Sequence, residues 1–191
     1  MHHEKIESMT EAEYLDRERV AEYKSEFFSG EMFAMTGASR NHNLIVTNLI
    51  RELSGQLKKT PCRVYPSDMR LKVEKTGLYT YPDVMVVCGE HRFADTEEKN
   101  TLLNPDVIVE VLSDSTEKYD RGDKFAHYRR IDSLTEYLLI SQKKPKIERY
   151  FKNSTGLWTL METDDSRSEI LLDSIGCTLS LEEIYDKTDV S

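Results

Sequence analysis

The longest amphipathic pattern in the chain lies between Ser39 and Pro61. Its apolar side chains recur at four-residue intervals, which is the spacing of one face of an α-helix. These apolar positions are Ile45, Leu49, Leu53 and Leu57. The pattern predicts a helix that begins near Ser39 and ends before Pro61, because proline disrupts a helix interior.

Two shorter elements are predicted before this helix. Thr10 and Glu13 have the spacing of a capping box, which indicates a helix in the segment TEAEYLDRERVAEY. The segment YKSEFFSGEMFAMTG then predicts two short strands joined by a turn at Ser29 and Gly30. Such a hairpin brings Glu31 directly after the bend.

After Pro61 the pattern becomes that of β-strands. We predict strands in RVYPSDMRLKVE, YTYPDVMVVC and PDVIVEVLS, and the third is apolar enough to lie in the centre of a sheet. A helix is predicted in TEKYDRGDKFAHYRRI, then strands in SLTEYLLIS, KIERYFK, LWTLME and EILL, then a short helix that begins at Ser180.

This order of elements is typical of an α/β (α+β) fold, with a mixed central β-sheet flanked by helices, an N-terminal hairpin and extra C-terminal strands. A chain of 191 residues is long enough for one sizeable core and short for two, so we expect residues 1–191 to form a single domain.

The net charge of −9 is distributed unevenly. Residues 1–31 hold 9 acidic and 4 basic residues, residues 161–191 hold 9 and 2, and residues 32–160 hold 17 and 20. The middle of the chain therefore has a net charge of +3, which permits a nucleic-acid partner without requiring one. The segment KKPKIERYFK carries 5 basic residues and 1 acidic residue; it could follow a phosphate backbone, although we favour a solvated hairpin.

Cysteine content and hydropathy bear on the compartment. Cys62, Cys88 and Cys177 are odd in number and lack CxxC spacing, so we expect unpaired thiols rather than a disulfide framework or a zinc site. No segment approaches the ~20 apolar residues of a membrane span. The N-terminal segment MHHEKIESMTEAEY also lacks the apolar stretch of a secretory signal. We therefore expect a soluble, cytoplasmic protein without a membrane partner.

Two carboxylates interrupt otherwise apolar strand segments. Asp83 follows Pro82 in YPDV, and Glu110 lies inside VIVEVL. If the two strands are neighbours, both side chains can enter one cleft and offer the oxygen ligands that Mg²⁺ prefers. Each residue also has a structural alternative that stays open: Asp83 could be a turn or strand-entry residue, and Glu110 could be the buried partner of an arginine.

The helix that follows Glu110 adds a polar stripe. Asp120, Lys124 and Tyr128 recur every four residues and therefore share one helix face. His42 lies three and four residues before two apolar positions of the first long helix, at the end of its core-facing stripe. Lys124 could instead be a surface cation, and His42 could be a histidine at the edge of the core.

The order of these motifs resembles the Uma-type family of putative restriction endonucleases, within the PD-(D/E)XK nuclease superfamily. The motifs are GE, NH at a helix start, YPDV, PDVIVEVLS, DRGDKFAHY and EYLLI. The resemblance covers about residues 20–150, which leaves residues 151–191 as a C-terminal extension of strands and a helix.

The resemblance implies a restriction-endonuclease-like core in which Asp83 and Glu110 bind Mg²⁺, or Mn²⁺, beside a scissile phosphodiester. The superfamily's lysine two residues after the glutamate is Leu112 here, and the matching basic residue of this branch is Lys124. Glu31 and His42 match further polar positions of the family's pocket, and Tyr128 is a further accessory candidate on the Lys124 stripe.

The sequence therefore predicts a metal-dependent endonuclease that hydrolyses phosphodiester bonds of nucleic acid, with DNA as the expected substrate. We expect a homodimer, because relatives of this type pair to address both strands of a duplex. The alternative is a catalytically inactive nucleic-acid-binding or scaffold protein that retains the fold, which Leu112 and the acidic charge favour.

Overall fold

The computed structural model describes residues 8–190 of the chain. The first seven residues, which belong to the N-terminal segment tested for a secretory signal, lie outside the described residues, as does Ser191. Within residues 8–190, no helix combines the length and the apolar character needed to cross a bilayer.

The two helices predicted in the first third of the chain are confirmed. Helix α1 spans Glu11–Val20 and begins with the predicted capping box, in which the Thr10 hydroxyl accepts from the Glu13 amide at 3.2 Å. Helix α2 spans Arg40–Gln56 and is followed by a 3₁₀ turn at Leu57–Lys59. Its four-residue apolar stripe is buried, as the pattern predicted.

The strands are β1 (Ser25–Phe28), β2 (Glu31–Ala34), β3 (Arg63–Pro66), β4 (Arg70–Val73), β5 (Leu78–Thr80), β6 (Val84–Val87), β7 (Thr101–Leu102), β8 (Val107–Leu112), β9 (Glu136–Ser141), β10 (Ile147–Lys152), β11 (Trp158–Thr163), β12 (Glu169–Leu172) and β13 (Cys177–Ser180). They form a five-stranded sheet of order β2-β1-β5-β4-β7, a six-stranded sheet of order β11-β10-β9-β8-β6-β3, and the hairpin β12-β13. In the six-stranded sheet β8 and β9 are parallel and the other neighbours are antiparallel. The sheet is therefore mixed, and β8 is central in it, as predicted.

The predicted bounds of two strands were wrong, because the chain passes from one sheet to the other within each of these segments. RVYPSDMRLKVE divides into β3 and β4 at a turn where the Met69 amide donates to the Pro66 carbonyl. YTYPDVMVVC divides into β5 and β6, with Asp83 immediately before β6. An alternating pattern continues through such a bend, so the sequence does not reveal the change of sheet.

The expectation of unpaired thiols was also wrong for two of the three cysteines. Cys62 and Cys88 form a disulfide, and only Cys177 is free among the described residues. The two cysteines flank β3 and β6, which pair antiparallel with Arg63 opposite Val87. Their 26-residue separation gave no sign of this, because strand pairing brings them together.

The helix predicted after β8 is built from three pieces. It comprises α3 (Glu117–Tyr119), a π-helical turn (Asp120–Lys124) and α4 (Phe125–Tyr128). A final helix, α5, spans Leu181–Ile184. π-helical turns inside α-helices occur frequently at functional sites, and this one carries the two buried charged residues of the segment, Asp120 and Lys124.

The two faces of the six-stranded sheet pack against different layers. The valines of β8, at 107, 109 and 111, face α2, α5 and the β12-β13 hairpin. Ile108 and Leu112 face the opposite layer, which contains α4 and the five-stranded sheet. Glu110 shares the face of Ile108 and Leu112 by strand alternation, so its carboxylate enters the space between the central sheet and the α3–α4 segment.

Candidate active site

Asp83 is fixed where the chain enters β6. Its Oδ2 atom accepts a hydrogen bond from the Val111 amide at 2.7 Å, and its Oδ1 atom lies 3.0 Å from His42 Nε2. The first contact ties Asp83 to β8, and the second ties it to the start of α2, where Ser39 caps the helix. The Asp83 side chain is 15% exposed, so it lies at the rim of the site.

Glu110 forms the base of the site. The residue is 4% exposed. Its Oε1 atom accepts from the Tyr128 hydroxyl at 2.7 Å and lies 3.0 Å from Lys124 Nζ. Its Oε2 atom faces the other way, 3.4 Å from the Asp83 amide nitrogen. The two carboxylates that the sequence singled out are therefore neighbours, and one oxygen of Glu110 points toward Asp83.

Lys124 reaches this position from the π-helical turn. Its ammonium lies 3.0 Å from Glu110, 3.2 Å from Glu26 and 3.5 Å from Asp120, and its side chain is 6% exposed. The Lys124 ammonium therefore lies beside Glu110, although the lysine comes from the helical segment and not from the strand. Its role in chemistry stays a prediction.

We call Glu26, Asp83, Glu110 and Asp120 the carboxylate cluster. Burial raises the pKa of Glu110 to about 8; Lys124 opposes this shift, and the carboxylates of Asp83 and Asp120 add to it. Burial likewise raises the pKa of Asp120. Burial lowers the pKa of Lys124, but the charges of Glu110, Glu26 and Asp120 outweigh it and hold that pKa well above its usual value. The site thus combines four carboxyl groups with one ammonium, and burial disfavours the ionised forms of Glu110 and Asp120.

His42 gives the rim a group that can gain a proton. Burial lowers its pKa, but the hydrogen bond to Asp83 and the charge of that carboxylate outweigh burial, so the pKa of His42 is raised. The histidine therefore contacts the cluster, and does not simply fill the edge of the core.

Glu31 is not brought into the site. It is exposed at the start of β2 and makes no hydrogen bond or ion pair with the cluster among residues 8–190. The glutamate of this hairpin that reaches Lys124 is Glu26, on β1, whose carboxylate also accepts from the Thr80 hydroxyl. The sequence contains a signal for Glu26 that we missed, because Glu26 precedes Phe27 and Phe28 in a short strand just as Glu110 interrupts an apolar one.

The donor chemistry fits a hard divalent cation bound by few protein ligands. No group of three or more His, Cys, Asp or Glu side chains in the described part of the chain is arranged to hold a metal ion alone. Mg²⁺ is commonly held by one or two carboxylates, with waters and substrate phosphates as its other ligands. Asp83 and the Oε2 atom of Glu110 match that requirement, and a bound cation would favour the ionised form of the buried Glu110.

The fold is shared with a solved crystal structure. The crystal structure of "a putative nuclease belonging to DUF820" from Anabaena variabilis ATCC 29413 matches with a TM-score of 0.70 and 17% sequence identity. The match covers 86% of this chain and 91% of that chain. It confirms the predicted fold class, a mixed α+β sheet structure flanked by helices.

The family model of Uma2, described as "Putative restriction endonuclease", matches residues 11–182. The chain therefore belongs to the Uma2 family, which confirms the resemblance seen in the sequence motifs. Two relatives are proteins of Synechocystis sp. (strain ATCC 27184 / PCC 6803 / Kazusa), both described as uncharacterized. The first, sll1609, is 42% identical over 85% of this chain and 91% of its own length. The second, slr1290, is 36% identical over 91% of this chain and 89% of its own length.

Proposed function

We propose that this chain is a divalent-metal-dependent endonuclease that hydrolyses phosphodiester bonds of nucleic acid, with DNA as the substrate. Membership of the Uma2 family supports nuclease function. One observation carries the finer proposal: two carboxylates and a buried ammonium converge at β8, with Glu110 3.4 Å from the Asp83 amide and 3.0 Å from Lys124.

Asp83 and Glu110 would hold the Mg²⁺ or Mn²⁺ ion. When bound, such an ion acts as a Lewis acid for the phosphate and promotes ionisation of water. His42 positions Asp83 through the 3.0 Å contact, and Tyr128 positions Glu110 through the 2.7 Å hydrogen bond. Each carboxylate is thereby held in one orientation, and the Oε2 atom of Glu110 is directed toward Asp83.

Lys124 supplies fixed positive charge rather than a base. Its pKa is held well above the usual value by the surrounding carboxylates, so the ammonium keeps its proton near neutral pH. A preorganised cation of this kind stabilises negative charge that develops on the phosphate as water attacks in line. Lys124 therefore takes the part of the lysine that Leu112 replaces on the strand.

The same proposal includes the whole chain as one nuclease domain that acts as a homodimer on the two strands of a duplex. The net charge of +3 over residues 32–160 supports contact with a polyanion through the middle of the chain.

The test is a cleavage assay on supercoiled DNA, single-stranded DNA and RNA, with Mg²⁺, Mn²⁺ or EDTA. We expect cleavage of DNA that requires the metal and that is lost in Asp83→Asn and Glu110→Gln. Calorimetry with the metal alone should show that both variants lose binding while circular dichroism shows an intact fold. Asp114→Asn is the matched control, because Asp114 is an exposed acid that pairs with Lys143.

The inactive alternative gives a different result. Leu112 and the net charge of −9 favour it. Metal binding that depends on Asp83 and Glu110, without cleavage of any of the three substrates, would support a binding protein that has kept the nuclease fold. Unchanged metal affinity in both variants would refute the proposed metal site.

A further inference from the structure

We propose that the open edge of β11 is a dimerisation surface, on which a second copy of this chain pairs its own β11 antiparallel and extends the six-stranded sheet. β11 lies at the end of the sheet and has β10 as its one neighbour among the described strands. It is six residues long, whereas the opposite edge strand, β3, has four and ends in Pro66. This inference rests on the homodimer included in the proposed function and specifies its interface, but it does not depend on nuclease activity.

The edge carries few of the features that usually prevent strands from pairing, and its one charged residue is Glu162. Edge strands are commonly protected by lysine, proline or a bulge, and Trp158–Thr163 contains no lysine, proline or glycine. Its register with β10 is continuous over all six residues. Exposed large apolar side chains also concentrate there: Leu157 is 66% exposed, Leu160 48% and Met161 49%.

The hydrogen-bond pattern shows which backbone groups point outward. Successive residues of β10 form their backbone hydrogen bonds alternately with β9 and with β11. The Lys152 amide donates to the carbonyl of Thr135, the residue that precedes β9, and the Asn153 amide donates to the carbonyl of Leu157, the residue that precedes β11. The odd-numbered residues of β10 therefore form backbone hydrogen bonds with β11. The register places them opposite the odd-numbered residues of β11. The amides and carbonyls of Trp158, Leu160 and Glu162 are left facing the open edge.

These three residues select one register for a two-fold dimer. A centre at Leu160 pairs Leu160 with its copy and Trp158 with Glu162 of the copy, so every outward group is used and about six backbone hydrogen bonds form. Shifting the register by two residues uses only two of the three positions on each strand. The centred register also keeps the two Glu162 side chains apart.

The charges on this face are complementary in the same register. Lys152 lies opposite Trp158 on β10, with its Nζ atom 5.3 Å from the centre of the indole ring. Strand pairing would bring Glu162 of the second copy next to Trp158, on the face that carries the Lys152 ammonium. Within its own chain Glu162 already pairs with Lys146 at 2.6 Å, which limits repulsion as the two edges approach. The surface is therefore suited to a second copy of itself.

The first test measures mass in solution by light scattering and sedimentation, at concentrations on the order of 10–100 µM, since a short edge interface gives modest affinity. We expect a species of twice the 22.2 kDa chain mass. Leu160→Lys should produce the monomer, because two lysines would then be directly opposite. Phe33→Lys is the matched control: Phe33 is 49% exposed on the edge strand of the other sheet, and its replacement should leave the dimer intact.

The second test fixes the register and does not rely on a disruptive variant. Directly opposed residues of a hydrogen-bonded antiparallel pair have Cα atoms about 5.5 Å apart, a distance that a disulfide can bridge. Under mild oxidation Leu160→Cys should form a cross-linked dimer on a non-reducing gel, and Leu157→Cys should not. A monomer of the unmodified chain throughout the concentration range, loss of the dimer in Phe33→Lys alone, or a dimer that Leu160→Cys cannot cross-link would each overturn the proposal.

Discussion

At Lys124 one ammonium group is surrounded by three carboxylates, an arrangement that makes the residue sensitive to substitution in two ways. Removing one partner of a buried ionic group leaves the other charges uncompensated, and removing a preorganised cation weakens transition-state stabilisation.

Lys124→Met, which keeps the apolar stem and removes the charge, should reduce the single-turnover cleavage rate by ~10²-fold or more while metal binding is largely kept. Lys143→Met is the control, because Lys143 is 62% exposed and pairs with Asp114 outside the site; its rate should stay near that of the unmodified chain. A Lys124→Met variant with the full rate would show that the lysine does not act in catalysis.

Glu26 and Glu31 offer a matched comparison within one hairpin. Glu26 lies 3.2 Å from Lys124, and Glu31 is exposed. Glu26→Gln should lower the cleavage rate roughly 10-fold, about 1.4 kcal/mol of barrier, since Lys124 would lose one of the groups that hold it. Glu31→Gln should leave the rate unchanged, and Glu26→Asp should recover part of it. Equal rates in Glu26→Gln and Glu31→Gln would contradict this positioning role.

The raised pKa of Glu110 predicts how stability changes with pH. Its pKa is near 4.5 in an unfolded chain and about 8 in the fold, so between these values the folded state holds more protons. Stability therefore falls as pH rises from about 5 to 8. The glutamine of Glu110→Gln cannot ionise, so this variant does not lose stability in this way as pH rises. His42 is present in both proteins, so its contribution to the pH dependence cancels in the comparison.

Thermal unfolding in EDTA checks this expectation. The melting temperature of Glu110→Gln relative to the unmodified chain should rise by on the order of 10 °C between pH 5 and pH 8, since each pKa unit corresponds to about 1.4 kcal/mol. A difference that stays constant with pH would mean that Glu110 is ionised in the fold at low pH as well.

At the scale of elements, the segment from Glu117 to Tyr128 places a charged stripe against the sheet through its π-helical turn. Gly122 is exposed in that turn, and a Cβ atom there would meet no atom within 4 Å. Glycine weakens a helix relative to alanine by roughly 0.5–1 kcal/mol, because it has more conformational freedom to lose. An alanine at position 122 would therefore stabilise the turn without a steric clash.

Gly122→Ala should raise the melting temperature by about 2 °C. Gly77→Ala is the opposite case, since Gly77 has φ +75°, a conformation that costs a residue with a side chain about 1 kcal/mol or more; its melting temperature should fall. Differential scanning calorimetry of both variants decides the matter, and a stabilised Gly77→Ala would contradict the conformational argument.

At the scale of the whole molecule, charge limits binding to nucleic acid. The segment KKPKIERYFK, whose basic residues could follow a phosphate backbone, is largely neutralised: Arg149 pairs with Glu136 at 2.6 Å, Lys146 with Glu162 at 2.6 Å, and Lys143 with Asp114. Arg149 is also buried. This segment therefore offers few free cations to a phosphate backbone. The solvated hairpin that we favoured was wrong for strand β10, which lies inside the six-stranded sheet with its first three residues buried.

DNA binding should accordingly be weak, and its affinity should fall with salt at a slope that corresponds to only a few phosphate contacts. Fluorescence anisotropy with a labelled duplex in Ca²⁺, at several salt concentrations, measures this slope. Affinity should be higher with Ca²⁺ than with EDTA, because the cation offsets the carboxylate cluster. A DNA affinity that changes with neither the salt concentration nor the metal would be incompatible with the proposed site.

The local pattern of residues was enough to predict the helices and the central strand. The four-residue apolar stripe of α2, the capping box of α1 and the run of valines in β8 each depend on contacts between residues close in the chain. The same is true of Asp83 and Glu110, which are conspicuous because carboxylates are costly in apolar strands. These features, with the motif order, were sufficient for the family and for the main candidate residues.

Tertiary structure alone decided which segments far apart in the sequence contact one another. The division of two predicted strands between two sheets, the disulfide of Cys62 with Cys88, and the entry of Glu26 rather than Glu31 into the site all depend on strand pairing between segments far apart in the sequence. An alternating pattern specifies which side chains are buried but not which strand lies beside them. Sequence periodicity therefore determined the elements of this protein and the candidates for its chemistry, and packing of the two sheets determined which of those candidates meet.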